Sequence, residues 1–231
     1  MTDASVASRL EQVLERIRSA AARAGRSPEE ITLIAVSKKQ PVDAIRAAYG
    51  AGQRVFGESY VQEGLDKIAA LRGLDIEWHF IGRIQSNKTR QIAASFAWVH
   101  GLSDLGHARR LNDQRPPEAP PLKVCLQVNL SGERSKAGVD PADLADLLAA
   151  CSVLPRLEVR GLMTLPAPAE DEAGQRKPLA SLRRLRDQLA TAAHPLSCLS
   201  MGMSGDLEAA ILEGATQVRI GTAVFGPRPY N

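Results

Sequence analysis

The sequence predicts a single closed (β/α)8 barrel of the TIM type. Eight strand-like runs recur along the 231 residues, with helical patterns between them, and most of the runs are apolar on both faces. Parallel strands that are covered by helices have this composition. The alternative is a doubly wound open sheet, which rarely contains eight evenly spaced strands. It would also need a glycine-rich fingerprint after the first strand, where this chain has 37-SKKQP-41.

The N-terminal segment predicts a helix over residues 3–24. Its apolar residues recur at helical spacing from Val6 to Ile17, and Gly25 ends the pattern. Residues 27–30, with the sequence SPEE, have the pattern of a capping box that opens a short turn. The repeating units of strand and helix therefore begin at Ile31.

Strands and helices then alternate through the rest of the chain. The predicted strands are 31-ITLIAVS-37, 54-RVFGES-59, 77-EWHFIG-82, 98-WVHGLS-103, 122-LKVCLQVNL-130, 158-EVRGLMTL-165, 198-CLSMGMS-204 and 216-TQVRIGTAVFG-226. The helical patterns lie near residues 41–51, 61–72, 85–95, 104–114, 140–152, 170–193 and 205–213. The proline-rich residues 115–121 and the polar residues 166–178 predict surface connections, so we expect one domain over residues 1–231.

The composition argues against several classes of protein. The formal net charge is only +3, basic and acidic residues are interspersed, and aromatic residues make up 4% of the chain. A nucleic-acid surface needs a basic stripe and stacking aromatic residues, so we expect no nucleic-acid partner. No apolar run approaches the roughly 18 residues of a membrane span, and the N-terminus lacks a signal-peptide pattern. We therefore expect a cytoplasmic protein with no membrane partner.

The three cysteines predict reduced thiols packed in the core. Cys125, Cys151 and Cys198 have neither CxxC nor Cys/His spacing. This pattern disfavours both a disulfide framework and a zinc site, and it is typical of a reducing cytoplasm. We therefore expect no metal site.

Two glycine-containing segments follow the last two strands, where parallel barrels often bind phosphate. In 200-SMGMSGD-206, Ser204 or Asp206 can cap a helix whose first N–H groups attract an anion. In 219-RIGTAVFGPR-228, Gly221 exposes backbone N–H and Thr222 adds a hydroxyl. Alone, either segment is more simply interpreted as a turn, but their joint position predicts a phosphate site.

The lysines narrow the chemistry further. Of the seven lysines, only Lys38 and Lys39 lie at the exit end of a strand. Lys136 lies in the loop 129-NLSGERSKAG-138 and could reach a ligand, although a solvated loop lysine is the simpler interpretation. An exit lysine with a phosphate site across the barrel mouth suits an enzyme that holds a phosphorylated aldehyde as a Schiff base. A solvated strand end is the alternative, and the residues alone do not choose between Lys38 and Lys39.

Seven segments, in order along the chain, carry a resemblance to a known family. They are 35-AVSKKQP-41, 56-FGESYVQE-63, 78-WHFIGRIQSNK-88, 127-QVNLSGERSKAG-138, 160-RGLMTL-165, 200-SMGMSGDLEAAI-211 and 217-QVRIGTAVFG-226. With these segments the chain resembles the pyridoxal 5′-phosphate (PLP) homeostasis protein family, whose fold is similar to the N-terminal barrel of bacterial alanine racemase. The resemblance implies a fold-type III PLP barrel, with PLP held as a Schiff base on the lysine of 35-AVSK-38, which is Lys38.

The resemblance also implies the remaining cofactor-binding residues. They are Ser204, Gly221 and Thr222 for the phosphate, Arg219 near the pyridine nitrogen, and His79, Met163 and Ser200 as pocket-lining residues. One position departs from the family pattern, which commonly reads GEN after the second strand, where this chain has Ser59. Serine is shorter and lacks the paired donor and acceptor of an amide, which puts a contact to the cofactor ring from that position in doubt.

A PLP carrier in vitamin B6 homeostasis is the function that the resemblance favours, with no catalytic residues. An arginine cannot protonate the pyridine nitrogen, so the ring withdraws electrons weakly. A racemase also needs a second acid or base, which alanine-racemase-like enzymes take from a C-terminal β domain, and we expect no such domain here. The alternatives are a weak amino-acid racemase or isomerase and a barrel that acts on a phosphosugar. We expect a monomer that delivers PLP to apo-enzymes.

Overall fold

The eight strands form one closed parallel barrel in chain order, as the sequence predicts. The structure is a computed structural model that describes residues 5–132 and 136–227. Each strand pairs with the next along the chain, and the last strand pairs with the first. The strands are β1 (Thr32–Val36), β2 (Val55–Glu58), β3 (Glu77–Phe80), β4 (Trp98–Leu102), β5 (Leu122–Gln127), β6 (Leu157–Met163), β7 (Cys198–Ser200) and β8 (Gln217–Ile220).

Helices cover the outside of the barrel, and an additional helix precedes it. The helices are α1 (Val6–Arg23), α2 (Val42–Gly50), α3 (Val61–Ala70), α4 (Thr89–Ser95), α5 (Leu105–Gln114), α6 (Leu144–Ser152), α7 (Glu172–Leu189), α8 (Leu207–Leu212) and α9 (Thr222–Phe225). Residues 3 and 4 of the predicted N-terminal helix lie outside the described residues. Within the described ranges, no helix combines the length and the apolarity needed to cross a bilayer.

The last predicted strand is shorter in the structure than in the sequence pattern. The strand ends at Ile220, and Thr222–Phe225 forms a helical turn after Gly221. The apolar run that continues to Phe225 therefore changes from strand to helix without losing its burial, since Val224 and Phe225 remain buried.

The two faces of the strands differ sharply in chemistry. The outward faces supply the large apolar cluster against the helices, as Leu33 and Ala35 of β1 do. Because side chains alternate along a strand, their neighbours point into the barrel. These inward residues include His79, His100, Gln127, Ser200 and Arg219, all of which are buried. Part of the interior of this barrel is therefore polar, where such barrels usually contain layers of branched apolar side chains.

Candidate functional site

Three neighbouring strand ends build one side of the barrel mouth. Arg219 N–H of β8 donates to the Gly202 carbonyl after β7 at 2.9 Å, and Ala35 of β1 pairs with Ile220 of β8. Gly221 lies against the end of β1, since a Cβ on it would stand 3.3 Å from the Val36 carbonyl oxygen. The predicted phosphate segments are therefore beside the exit lysines and not across the mouth from them.

The two exit lysines occupy a tight turn and have different environments. The N–H of Gln40 donates to the Ser37 carbonyl at 3.0 Å, which closes the turn over Lys38 and Lys39. Lys39 adopts a left-handed backbone with φ of 59° and is exposed, whereas Lys38 is half-buried. The N–H of Lys39 donates to the carboxylate of Glu63 on α3. The backbone of this turn is thus anchored to the helix behind it.

A buried ion-pair cluster supports the turn from below. The Lys67 ammonium on α3 donates to the Ser37 carbonyl at 2.6 Å, to Glu58 Oε1 at 2.8 Å and to Glu63 Oε1 at 2.6 Å. Ser37 Oγ also donates to Glu58 Oε1 at 2.6 Å. Burial raises the pKa of Glu58, and the nearby Lys67 partly opposes this rise. The three N–H donors of Lys67 each have an acceptor, so the cation is fully hydrogen-bonded.

Sequence reasoning placed Lys67 on a helix and did not connect it with the site. The signal that could have found it is helical periodicity, because Lys67 lies on the same face of the helix as the buried Gly64 and Leu71. A lysine on the inner face of an amphipathic helix needs a buried acceptor. Glu58 at the end of the preceding strand is the acceptor that satisfies this requirement.

A second polar network runs through the barrel interior and contains three of the predicted site residues. Arg219 donates from Nη1 to Ser200 Oγ at 2.6 Å and from Nη2 to the Thr164 carbonyl at 2.8 Å. His100 Nδ1 is 2.7 Å from Ser200 Oγ, and its Nε2 is 2.9 Å from His79 Nδ1. Burial lowers the pKa of Arg219 to about 10.

Sequence reasoning did not identify His100, the central residue of this network. Its strand is buried throughout, and the alternation of β4 puts His100 on the same face as Trp98. On β3, alternation puts His79 on the same face as Glu77, which also points into the barrel. His79 and His100 therefore lie on the inner faces of adjacent strands. This pattern in the sequence could have predicted their contact.

Met163 lies next to Ser200 in the sheet, but its side chain packs in a separate apolar cluster. The register of β6 and β7 pairs Met163 with Ser200. Met163 joins Trp98, Cys125 and Cys198 in this cluster inside the barrel. The Sγ atoms of Cys125 and Cys198 are 3.5 Å apart, and all three cysteines are free and buried. The prediction of thiols packed in the core is therefore confirmed.

The segment after β7 forms a compact turn that contains Ser204. The N–H of Met203 donates to Asp206 Oδ1 at 2.6 Å, which closes the turn. Asp206 is the N-cap residue of α8, but its side chain makes no capping hydrogen bond to that helix. Gly202 is required there, because its φ is 97° and a Cβ on it would stand 2.6 Å from Ala210 Cβ. The Ser204 carbonyl accepts a hydrogen bond from Arg16 of α1 at 3.1 Å. The N-terminal helix therefore supports this segment from outside the barrel.

The segment after β8 places Gly221 at the N-cap of α9 and Thr222 at its first position. Thr222 is exposed, and Gly221 is half-buried against β1. The N–H groups of Val224 and Phe225 donate to the Gly221 carbonyl, so the first two N–H groups of the turn, those of Thr222 and Ala223, are the ones that an anion could use together with the Thr222 hydroxyl. This donor set suits a phosphate.

Two further positions, Ser59 after β2 and Lys136 after β5, are those whose roles the sequence left open. Ser59 is half-buried, and its carbonyl is so close to Gly82 that a Cβ there would stand 2.1 Å away. Lys136 contributes to the lining of a cavity of about 480 Å³, together with Arg83 and Gln127. Residues 133–135 of the Lys136 loop lie outside the described residues. Among the described residues, no group of His, Cys, Asp or Glu side chains could hold a metal ion.

Comparison with known proteins gives a consistent result. Residues 8–229 match the family described as alanine racemase, N-terminal domain. The pyridoxal phosphate homeostasis protein of Pseudomonas aeruginosa is 54% identical over 98% of this chain and 97% of that protein. The protein of the same name from Escherichia coli K12 is 52% identical over 98% of each chain.

Solved structures agree with these matches. PipY of Synechococcus elongatus, solved with PLP bound, has a TM-score of 0.80 and 40% identity over 93% of this chain and 100% of that one. Alanine racemase from Corynebacterium glutamicum is only 18% identical, with a TM-score of 0.67 over 61% of that chain, and shows a shared barrel fold alone. The full-length matches above 50% identity decide the family. This chain belongs to the pyridoxal phosphate homeostasis protein family.

Proposed function

We propose that this protein binds PLP at the barrel mouth, as a Schiff base with Lys38, and carries it in vitamin B6 homeostasis. The observation that carries the proposal is the adjacency of the ends of β7, β8 and β1, which groups Lys38 with the phosphate-type donors of the two glycine segments. A relative of 40% identity has been solved with PLP bound, which supports the same ligand here.

The residues at the mouth fit the chemical groups of PLP. The exposed Thr222 hydroxyl and the backbone N–H groups after Gly221 and near Ser204 would hold the phosphate. The half-buried Lys38 would supply the amine, and the anchored turn limits where that amine can move. His79, Met163 and Ser200 would line the pocket below, although in the structure their side chains are buried inside the barrel.

Arg219 is the residue that favours carriage over catalysis. Bound PLP supplies a reactive aldehyde and an electron-withdrawing ring, and the ring withdraws most strongly when its nitrogen is protonated. Arginine donates hydrogen bonds and cannot give up its proton at neutral pH. Burial lowers the pKa of Arg219 only to about 10, so the guanidinium remains charged at neutral pH. Arg219 would therefore orient the ring without strengthening it as an electron sink.

We further propose that the protein works in the cytoplasm as a monomer and passes PLP to apo-enzymes. Transfer is tested by mixing the loaded protein with an apo-enzyme that depends on PLP and following the recovery of its activity. Mass measurement by light scattering in solution tests the monomer. A weak racemase or isomerase is the second candidate, and steady loss of α-carbon chirality in a panel of amino acids would favour it.

The direct test of the site is the absorption spectrum of the purified protein. We expect a visible Schiff-base band that borohydride removes, because the amine of Lys38 is the reacting group. Lys38→Ala should abolish the band, and the matched control Lys39→Ala should keep most of it, because Lys39 turns outward. If neither wild-type protein nor PLP-treated protein shows a band, the proposal is wrong. If the two variants exchange their outcomes, Lys39 is the binding residue.

A further inference from the structure

A continuous row of hydrogen-bonded side chains crosses the barrel from its amino-terminal end to Arg219. Glu77 is the first residue of β3, and its Oε1 is 2.9 Å from His79 Nε2. From there, His79, His100, Ser200 and Arg219 follow with contacts of 2.9, 2.7 and 2.6 Å. His79, His100 and Ser200 have no exposed surface, whereas the Glu77 side chain is 39% exposed. The chain thus links a solvated carboxylate to a buried guanidinium.

The two ends of the chain fix the position of every proton in it. A carboxylate only accepts hydrogen bonds and a guanidinium only donates them. Glu77 therefore accepts from His79 Nε2–H, which leaves His79 Nδ1 to accept from His100 Nε2–H. His100 Nδ1 then accepts from the Ser200 hydroxyl, whose oxygen accepts from Arg219. Only this arrangement satisfies each contact while both imidazoles are neutral.

The surroundings favour the neutral rings. Burial lowers the pKa of His79 against the opposing effect of the Glu77 carboxylate. Burial, and then the proximity of His79 and Arg219, lowers the pKa of His100 well below its ordinary value. A charged His79 would have to donate to both neighbours, and this would reverse the proton of His100 and leave the Ser200 hydroxyl without His100 as its acceptor. The Lys123 ammonium lies 3.5 Å from Glu77 Oε2, and its positive charge further lowers the pKa of His79.

We propose that this chain is a relay that positions Arg219, so that Glu77, His79 and His100 are positioning residues for the cofactor ring although Glu77 lies at the opposite end of the barrel. The inference rests on the proposed function, since it assigns Arg219 to the ring. The relay fixes the guanidinium through Ser200, while the Thr164 carbonyl holds its other nitrogen. Breaking the chain at its far end should therefore loosen Arg219 at the mouth.

The first test uses the protein without PLP and does not depend on the proposed function. Nitrogen-15 NMR of the imidazoles at pH 7 should show His79 and His100 neutral, with the proton on Nε2 in both rings. A proton on Nδ1, or a charged ring, would overturn the relay. This measurement stands even if no Schiff-base band forms, so the failure of the relay and the failure of PLP binding give different results.

The second test measures PLP retention in variants of the relay. His100→Leu should weaken retention by up to about tenfold, because the Ser200 hydroxyl loses its acceptor and holds Arg219 less firmly, and a neutral hydrogen bond contributes about 0.5–1.5 kcal/mol. His100→Gln, which keeps one donor and one acceptor, should recover part of the loss. Val99→Ala removes buried volume from the outer face of the same strand and should change retention less than about twofold, although it lowers stability. Equal retention in His100→Leu and wild type would refute the relay.

Glu77, the member of the relay that lies farthest from the mouth, provides the sharpest comparison of variants, because it cannot contact a ligand at the mouth. Glu77→Ala should weaken retention by about threefold or more, since His79 loses its acceptor. The matched control is Glu158→Ala, at the foot of β6, where a carboxylate of similar exposure is paired with Arg160 at 2.7 Å. If the two variants retain PLP equally well, Glu77 does not position Arg219. This pair also covers the case in which His100→Leu fails to fold.

Discussion

Replacing Lys67 with methionine tests whether the buried ion pair supports the Lys38 turn. The Lys67 side chain is 6% exposed and that of Glu58 is not exposed at all. The change removes three hydrogen bonds and leaves Glu58 Oε1 with only the Ser37 hydroxyl of its two partners. Glu58 Oε2 is already buried with no hydrogen-bond partner among the described residues. Lys67→Met therefore leaves the buried Glu58 carboxylate without a positive partner. Removing one partner of a buried ion pair lowers the free energy of unfolding by about 3–5 kcal/mol.

Protonation of Glu58 limits this cost, because burial already raises the pKa of its carboxyl. We therefore expect a loss near the lower bound, about 3 kcal/mol, which lowers Tm by about 6–12 °C in a chain of this size. Urea unfolding of the protein without PLP measures it. Lys177→Met, an exposed helical lysine, is the control and should change stability by less than about 0.5 kcal/mol.

The double variant Glu58→Gln with Lys67→Met separates charge from packing. It should recover more than half of the lost stability, because no charge remains unpaired at that position. PLP retention should stay reduced in both variants, since the Ser37 carbonyl has lost the ammonium that anchors the turn. A Lys67→Met protein that unfolds within about 1 kcal/mol of wild type would refute this account of the turn.

Two further predictions concern the phosphate segment and the interior histidines. Thr222→Ala should weaken PLP retention by about 1–3 kcal/mol, as for a lost hydrogen bond to a charged group, and unchanged retention in equilibrium dialysis would remove Thr222 from the phosphate site. The folded-state pKa values of His79 and His100 are lowered, so the unfolded chain binds protons first as the pH falls. The contribution of the two neutral rings to the free energy of unfolding is therefore fully present above about pH 6.5, the ordinary pKa of histidine. Below that pH it decreases by up to about 1.4 kcal/mol per pH unit for each ring. Urea titrations at pH 7.5 and 5.5 measure the loss, and a His100→Gln protein with the same pH dependence as wild type would contradict the share assigned to His100.

The barrel could be predicted from the sequence because its signal is repeated. Each strand has an outward apolar face that must pack on a helix, so strand-like runs appear eight times with seven helical patterns between them. The end of the last strand was predicted less well, because apolar residues of a strand and of a short buried helix look alike without a period. The run through Phe225 contains both.

The polar contacts of the site were harder to predict, because they depend on which faces meet in space. The pair of exit lysines, Lys38 and Lys39, follows from its place at the end of β1, but Lys67 contacts this turn only through the inner face of α3. His100 likewise gains its role from sheet register, which brings it beside His79 and opposite Ser200. Local patterns show that a polar residue is buried, and the partner that satisfies it comes from the closed barrel.

This division between the two faces of the barrel has a consequence for substitutions. The large apolar cluster lies mainly between the sheet and the helices, so most of the apolar burial that stabilises the barrel lies outside its interior. The interior can therefore hold Arg219 and the two histidines, provided that each polar atom has a partner. Outward changes such as Val99→Ala should lower stability first, whereas inward changes such as His100→Gln should alter the site first. Changes near Arg219 should alter both stability and the site, because Arg219 is a buried cation that needs its hydrogen bonds and because the same hydrogen bonds define its orientation at the mouth.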